Sequence, residues 1–175
     1  MNSHLEQLQQ VLAASLADLS EEKVNWHPPE KWSAGEVLEH LYLTYTWNLK
    51  GFGRVIEAGQ PLATPPTLWQ RCQVLVAIDF GYLPEGRKAP ARTQPRGLSA
   101  ETVRSGIIPK IAELDHVIAH CEQQWGSRRK LLDHPILGPL NAAQWRKFHL
   151  VHGLHHLRQI QRLREALAHA RVGPR

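Results

Sequence analysis

The sequence predicts an all-α bundle, on three observations. Apolar residues recur at steps of three and four in five separate segments, capping residues open three of these, and no stretch shows the alternation of a half-buried strand. The 175 residues, 42% apolar and 21% charged, suit one globular domain over 1–175. A domain of that size buries roughly 70% of its unfolded surface and needs no disulfide staples.

Leu5, Leu8, Leu12, Leu16 and Leu19 define a first amphipathic helix over 4–19. A connector from Ser20 to Trp32 carries Pro28 and Pro29, and Trp26 and Trp32 are placed to pin it against the bundle. Ser33 and Glu36 then form a capping box ahead of an apolar run. Val37, Leu41, Tyr45, Leu49, Phe52 and Ile56 line one face of this second helix as far as Ala58, with Glu36, Glu39, Lys50, Arg54 and Glu57 opposite.

Pro65 and Pro66 can open a third helix, whose apolar face reads Leu68, Cys72, Leu75, Val76 and Phe80 before Pro84 ends it. Residues 84–97, with three prolines, two glycines and no periodicity, predict a long exposed loop. Ser99 caps a fourth helix to Trp125 along Ile107, Ile111, Leu114, Ile118 and Cys121. Pro109 should kink or restart it, and Gly126 should stop it. His134 to Leu140 is too proline-rich for a helix. Asn141, with Gln144 three residues on, caps a last helix running to about His169.

The chemistry concentrates on that last helix. At 100° per residue, Trp145, His149, His152, His156, Ile160, Leu163 and Leu167 share one stripe, opposite Arg146, Lys147, Arg158 and Gln161. Histidines thus interrupt the face that should enter the core, where every neutral ring needs a partner and a charged ring costs more. A metal ion resolves this directly, because neutral imidazole is a common metal ligand. His152 and His156, four apart, project together from adjacent turns. The intervening Gly-Leu-His supplies no glutamate base, which disfavours a zincin peptidase.

A third ligand must come from another helix. His40, bordering the apolar face of the second helix beside Val37 and Thr44, is the candidate. Three nitrogens leave one or more positions open, as in catalytic metal sites. His149, on the same stripe, is an alternative ligand, and His155 lies at its edge; both read as pocket-lining. His116, His120 and His169 read as solvated or helix-end residues. Tyr42, Thr44 and Tyr45 are acid–base candidates by position alone.

These residues carry a resemblance. Trp32-Ser33-Ala34-Gly35-Glu36 through His40-Leu41 resembles the W-S-x-x-E-x-x-x-H-L entry to the second helix of the DinB-like superfamily. His134-Pro135, Leu137-Gly138-Pro139-Leu140, Trp145 and His152 through Ile160 resemble its C-terminal signature. The resemblance implies a four-helix bundle with a long crossover connection, usually a homodimer. It also implies a divalent metal, zinc or nickel, on three histidines, which carry over as His40, His152 and His156. Characterised relatives include transferases and isomerases that use low-molecular-weight thiols such as mycothiol or bacillithiol. The expected function is therefore a metal-dependent thiol S-transferase or related hydrolase, with residues 84–97 helping to cover or select the substrate. The alternative is a non-catalytic stress-response or small-ligand-binding bundle whose metal site is structural or vestigial.

Other classes fit less well. The net charge of +5 comes with a pI near 9.5. Much of the excess falls in Arg87, Lys88, Arg92 and Arg96 of the loop and in Arg171 and Arg175 of the tail, so no nucleic-acid partner is expected. No apolar run approaches the roughly 20 residues of a membrane span, and the polar N-terminus lacks a signal-peptide core. Cys72 and Cys121, far apart, read as reduced and mostly buried thiols of a cytoplasmic protein.

Overall fold

A computed structural model describes residues 3–17, 19–84, 86 and 88–172. Arg87 and Arg175 lie outside the described residues. The all-α expectation is met. Four long helices form the bundle: α1 (His4–Ala17), α3 (Ala34–Glu57), α5 (Ala100–Trp125) and α6 (Ala142–Val172). Helix α3 packs mainly on α5 and α1 mainly on α6, while α5 and α6 also touch. Leu5, Leu8, Leu12, Leu41, Phe52, Ile107, Ile111, Leu114 and Trp145 are completely buried between them. Among the described residues, no helix is long and apolar enough to cross a membrane.

The caps work as the sequence predicts. The Ser33 hydroxyl accepts from Glu36 N at 3.2 Å and the Glu36 carboxylate accepts from Ser33 N at 2.8 Å. Asn141 and Gln144 exchange the same pair of bonds at the start of α6. Gly126, at φ 91°, ends α5. No restart occurs at Pro109: α5 is continuous, and fully buried Ile107 and Ile111 flank the missing donor. Packing of the adjoining turns outweighs one lost bond.

Several expectations need correction. The connector after α1 contains a short helix, α2 (Glu21–Asn25), capped by Ser20. His134 to Leu140 is non-helical as expected, but no strand was expected and residues 132–140 form a two-stranded antiparallel hairpin, β1 (Leu132–His134) and β2 (Gly138–Leu140). Strands of three residues are too short for alternation to register in sequence. His134 Nδ1 accepts from the N–H groups of Ile136 and Leu137 at 3.2 and 3.1 Å, closing the turn. Arg171, expected in a loose tail, pairs with Glu22.

The third predicted helix is α4 (Leu68–Val74), which continues as one π-helical stretch over Leu75–Asp79. Thr67 and Gln70 cap it reciprocally. Its orientation is the reverse of that expected. Val74, Ala77 and Ile78 face the core, whereas Leu68, Cys72, Leu75, Val76 and Phe80 are exposed. Cys121 is buried as predicted, but Cys72 is not.

On α3, Val55 rather than Ile56 is buried, and Glu39 leaves the polar face for the interior, at 3% exposure. The partner of Glu39 is the segment expected to be a free loop. The Glu39 carboxylate accepts from Arg96 N at 2.8 Å and Gly97 N at 3.2 Å. A single 3-10 turn, Ala91–Thr93, precedes this clasp, and Thr93 is buried. The last third of the 84–97 segment is therefore strapped to α3.

Candidate metal centre

His40 enters from the second turn of α3, and His152 and His156 enter from adjacent turns of α6. Helix packing brings all three together: their ligand nitrogens lie within 4.8 Å of one another. Nε2 of His152 is 3.4 Å from Nε2 of His40 and 3.1 Å from Nε2 of His156.

The outer nitrogens determine what the inner ones offer. The carbonyl oxygen of Thr93 can only accept, so the 2.8 Å contact to His40 Nδ1 places the proton on Nδ1. His156 Nδ1 likewise donates to Gln159 Oε1 at 3.0 Å. Both rings then present lone pairs at Nε2. A proton on His152 Nε2 can bridge to one of them at a time, leaving the other pair opposed. A single cation satisfies all three. Tetrahedral zinc with Zn–N of about 2.05 Å separates neighbouring nitrogens by about 3.3 Å, close to the two His152 distances, with the third pair lying within 4.8 Å. The residues therefore fit a divalent metal, with outer hydrogen bonds on His40 and His156 of the kind that orient metal-bound imidazoles, whereas the buried His152 Nδ1 has no such partner among the described residues.

Electrostatics favour the same state. Burial lowers the His40 pKa, partly opposed by the Thr93 bond. Burial, and then its neighbours His156 and His40, hold His152 well below the ordinary histidine range. His156 is pushed down to about 3, first by burial and then by His40. Each shift favours the neutral ring, the form that ligation requires.

The surroundings are aromatic and closely packed. Phe148 stacks on His152, ring centroids 5.4 Å apart at 16°, and Trp32 lies 5.5 Å from the His40 ring. Gly153, next to His152, lets α1 approach, because a Cβ there would lie 2.3 Å from Leu8 Cδ1. This glycine lets α1 pack directly beneath the turns that carry His152 and His156.

The other candidates are placed elsewhere. His149 is completely buried and does not join the trio; its Nε2 meets Asn48 Nδ2 at 3.4 Å, between Tyr45 and Trp145. The His155 ring meets the His156 ring edge-on, centroids 5.2 Å apart. Of the acid–base candidates, the Thr44 hydroxyl donates to the His40 backbone carbonyl. The Tyr45 hydroxyl is buried with no hydrogen-bond partner among the described residues, and burial raises its pKa. Tyr42 packs over Gly106 with Lys110 above its ring. His116, His120 and His169 are exposed, as expected.

Sequence reasoning missed Glu39 and Thr93. Glu39 sits one residue before His40, but its spacing alone gives it to the polar face. Thr93 acts through its backbone carbonyl, which leaves no side-chain signal.

Residues 1–163 match the model of a protein family described as "Protein of unknown function (DUF1569)". No curated protein and no solved structure matches the chain.

Proposed function

The chain belongs to the DUF1569 family, whose function is unassigned, and within it we propose a divalent-metal-dependent enzyme whose metal ligands are His40, His152 and His156. The observation that carries this reading is the convergence of three Nε2 atoms while Nδ1 of His40 and of His156 are engaged as donors. The helix-entry and C-terminal motifs support placing the family beside the DinB-like superfamily. They also support zinc or nickel as the metal and a low-molecular-weight-thiol S-transferase, or a related hydrolase, as the activity.

A bound divalent cation would supply Lewis acidity, making a thiol or water that reaches it nucleophilic near neutral pH. The chain's own residues do the rest. Thr93 and Gln159 fix two imidazoles in the tautomer that leaves Nε2 free. Phe148 and Trp32 wall the trio with apolar surface, which strengthens electrostatic interactions inside it. No carboxylate joins the cluster among the described residues, and the Glu39 carboxylate is spent on two backbone amides. Proton transfer would thus fall to the substrate, solvent or an imidazole at the rim such as His155.

Cobalt(II)-substituted protein tests the assignment. The thiol-transferase reading predicts ligand-field bands of a low-coordinate site and a new sulfur-to-cobalt charge-transfer band when a small thiol is added. Ligand-field bands without a thiol response would shift the reading to a hydrolase. Tyr45 and Thr44, held away from acid–base work, favour as second reading a binding bundle with a structural metal. That reading predicts cobalt bands unmoved by thiols and no turnover of thiol or ester substrates.

A further inference from the structure

Leu68–Tyr82 has two apolar sides. Val74, Ala77 and Ile78 face the core, while Leu68 is 80% exposed, Trp69 71%, Phe80 74%, Tyr82 62%, Leu75 48% and Val76 44%. The segment is ordered by its own bonds: the Thr67–Gln70 cap at one end, and Phe80 N to Leu75 O and Tyr82 N to Val76 O at the other. Leu68, Cys72, Leu75, Val76 and Phe80 are all exposed along its outward side. These six side chains expose on the order of 800 Å². That exceeds the largest apolar patch usual on a monomer and equals one partner's share of a standard interface.

The charges suggest the occupant. The segment carries only two charged side chains, Arg71 and Asp79, both exposed and eight residues apart. If the segment packs antiparallel on itself about a two-fold axis at Leu75, Arg71 of each copy faces Asp79 of the other. The same register sets Leu75 against Leu75 and Leu68 against Tyr82. Within its own copy the Asp79 carboxylate meets Lys147 at 3.7 Å, a half-exposed contact. A lipid-surface helix would instead carry an excess of Lys and Arg along the stripe.

We propose that Leu68–Tyr82 is a homodimer interface, two copies packing antiparallel through Leu68, Trp69, Leu75, Val76 and Phe80 with reciprocal Arg71–Asp79 pairs. Self-complementarity of this kind is what a two-fold interface requires. The proposal is independent of the metal reading, since no ligand lies on this face.

The test is the oligomeric state of the full chain by sedimentation equilibrium. Wild type should be a dimer at micromolar concentration. Trp69→Glu with Phe80→Glu should be monomeric, with unchanged helical circular dichroism and unchanged metal content. Arg71→Asp and Asp79→Arg should each weaken the dimer roughly tenfold or more, and the combined charge swap should restore it. Cys72, exposed beside the stripe, reports independently: a thiol reagent should label it more slowly in wild type than in the Trp69→Glu/Phe80→Glu monomer. A monomeric wild type, including one that binds phosphatidylcholine–phosphatidylglycerol vesicles instead, would overturn the proposal. So would a dimer that survives the two glutamates, a swap that fails to rescue, or equal labelling of Cys72.

Discussion

Replacing Glu39 by glutamine probes the link between residues 93–97 and the histidine trio. The Glu39 side chain is 3% exposed and its two oxygens receive the N–H groups of Arg96 and Gly97 at 2.8 and 3.2 Å. Glutamine keeps the shape but offers one acceptor and turns an NH₂ group toward the second amide. One charge-assisted bond is lost and two donors oppose each other in the interior, at a cost of about 2 kcal/mol. The released segment is the one that places the Thr93 carbonyl against His40 Nδ1 at 2.8 Å. Loss of such an outer partner typically costs about 10- to 100-fold in metal affinity. Urea denaturation of chelator-treated protein measures the first effect, and competition for zinc against a chromophoric chelator measures the second. A lower urea midpoint with unchanged zinc affinity would refute the coupling. An unchanged midpoint would refute the clasp itself.

Acid should destabilise the metal-free protein well above the carboxylate range. Burial pushes His149 down to about 3 and His134 down to about 4, Arg92 adding to the latter, against about 6.5 in the unfolded chain. Folded pKa values below the unfolded one mean that stability is complete above pH 6.5 and falls as the pH drops toward the folded values. At pH 5 each ring costs about 2 kcal/mol. A thermal midpoint that stays flat from pH 7 to 5 would contradict this. Gly153→Ala should cost about 1–3 kcal/mol by overpacking against fully buried Leu8, as read from urea denaturation. A change below about 0.5 kcal/mol would show that α1 does not rest on that glycine. Zinc at a hundredfold excess over its dissociation constant should stabilise wild type by about 2.7 kcal/mol. His156→Ala should lose most of that gain; a thermal shift equal to wild type would remove His156 from the site.

The bundle and the histidine trio were legible where local chemistry is decisive. Ser33–Glu36 and Asn141–Gln144 set the starts of the two helices that carry the three histidines, since reciprocal capping depends only on residues three apart. His152 and His156 stood out because imidazoles on an apolar stripe need a reason, and the helical repeat places them together. What depends on tertiary partners was not legible. Periodicity marks Leu68, Leu75 and Phe80 as one face but does not say whether that face meets its own core or a surface outside it. Glu39 reads as polar because its buried partners are backbone amides 57 and 58 residues away. The strapping of residues 93–97 uses main-chain groups, which carry no side-chain signature. The hairpin at 132–140 is closed by His134, whose proline-rich context suggests irregular chain.

The most direct test of the account is the metal content of protein purified without a histidine tag, measured beside the His40/His152/His156→Ala triple variant after identical zinc reconstitution and desalting. The account predicts close to one divalent ion per wild-type chain and none in the variant, with both still helical by circular dichroism. No retained metal in wild type, or equal metal in both proteins, would contradict it.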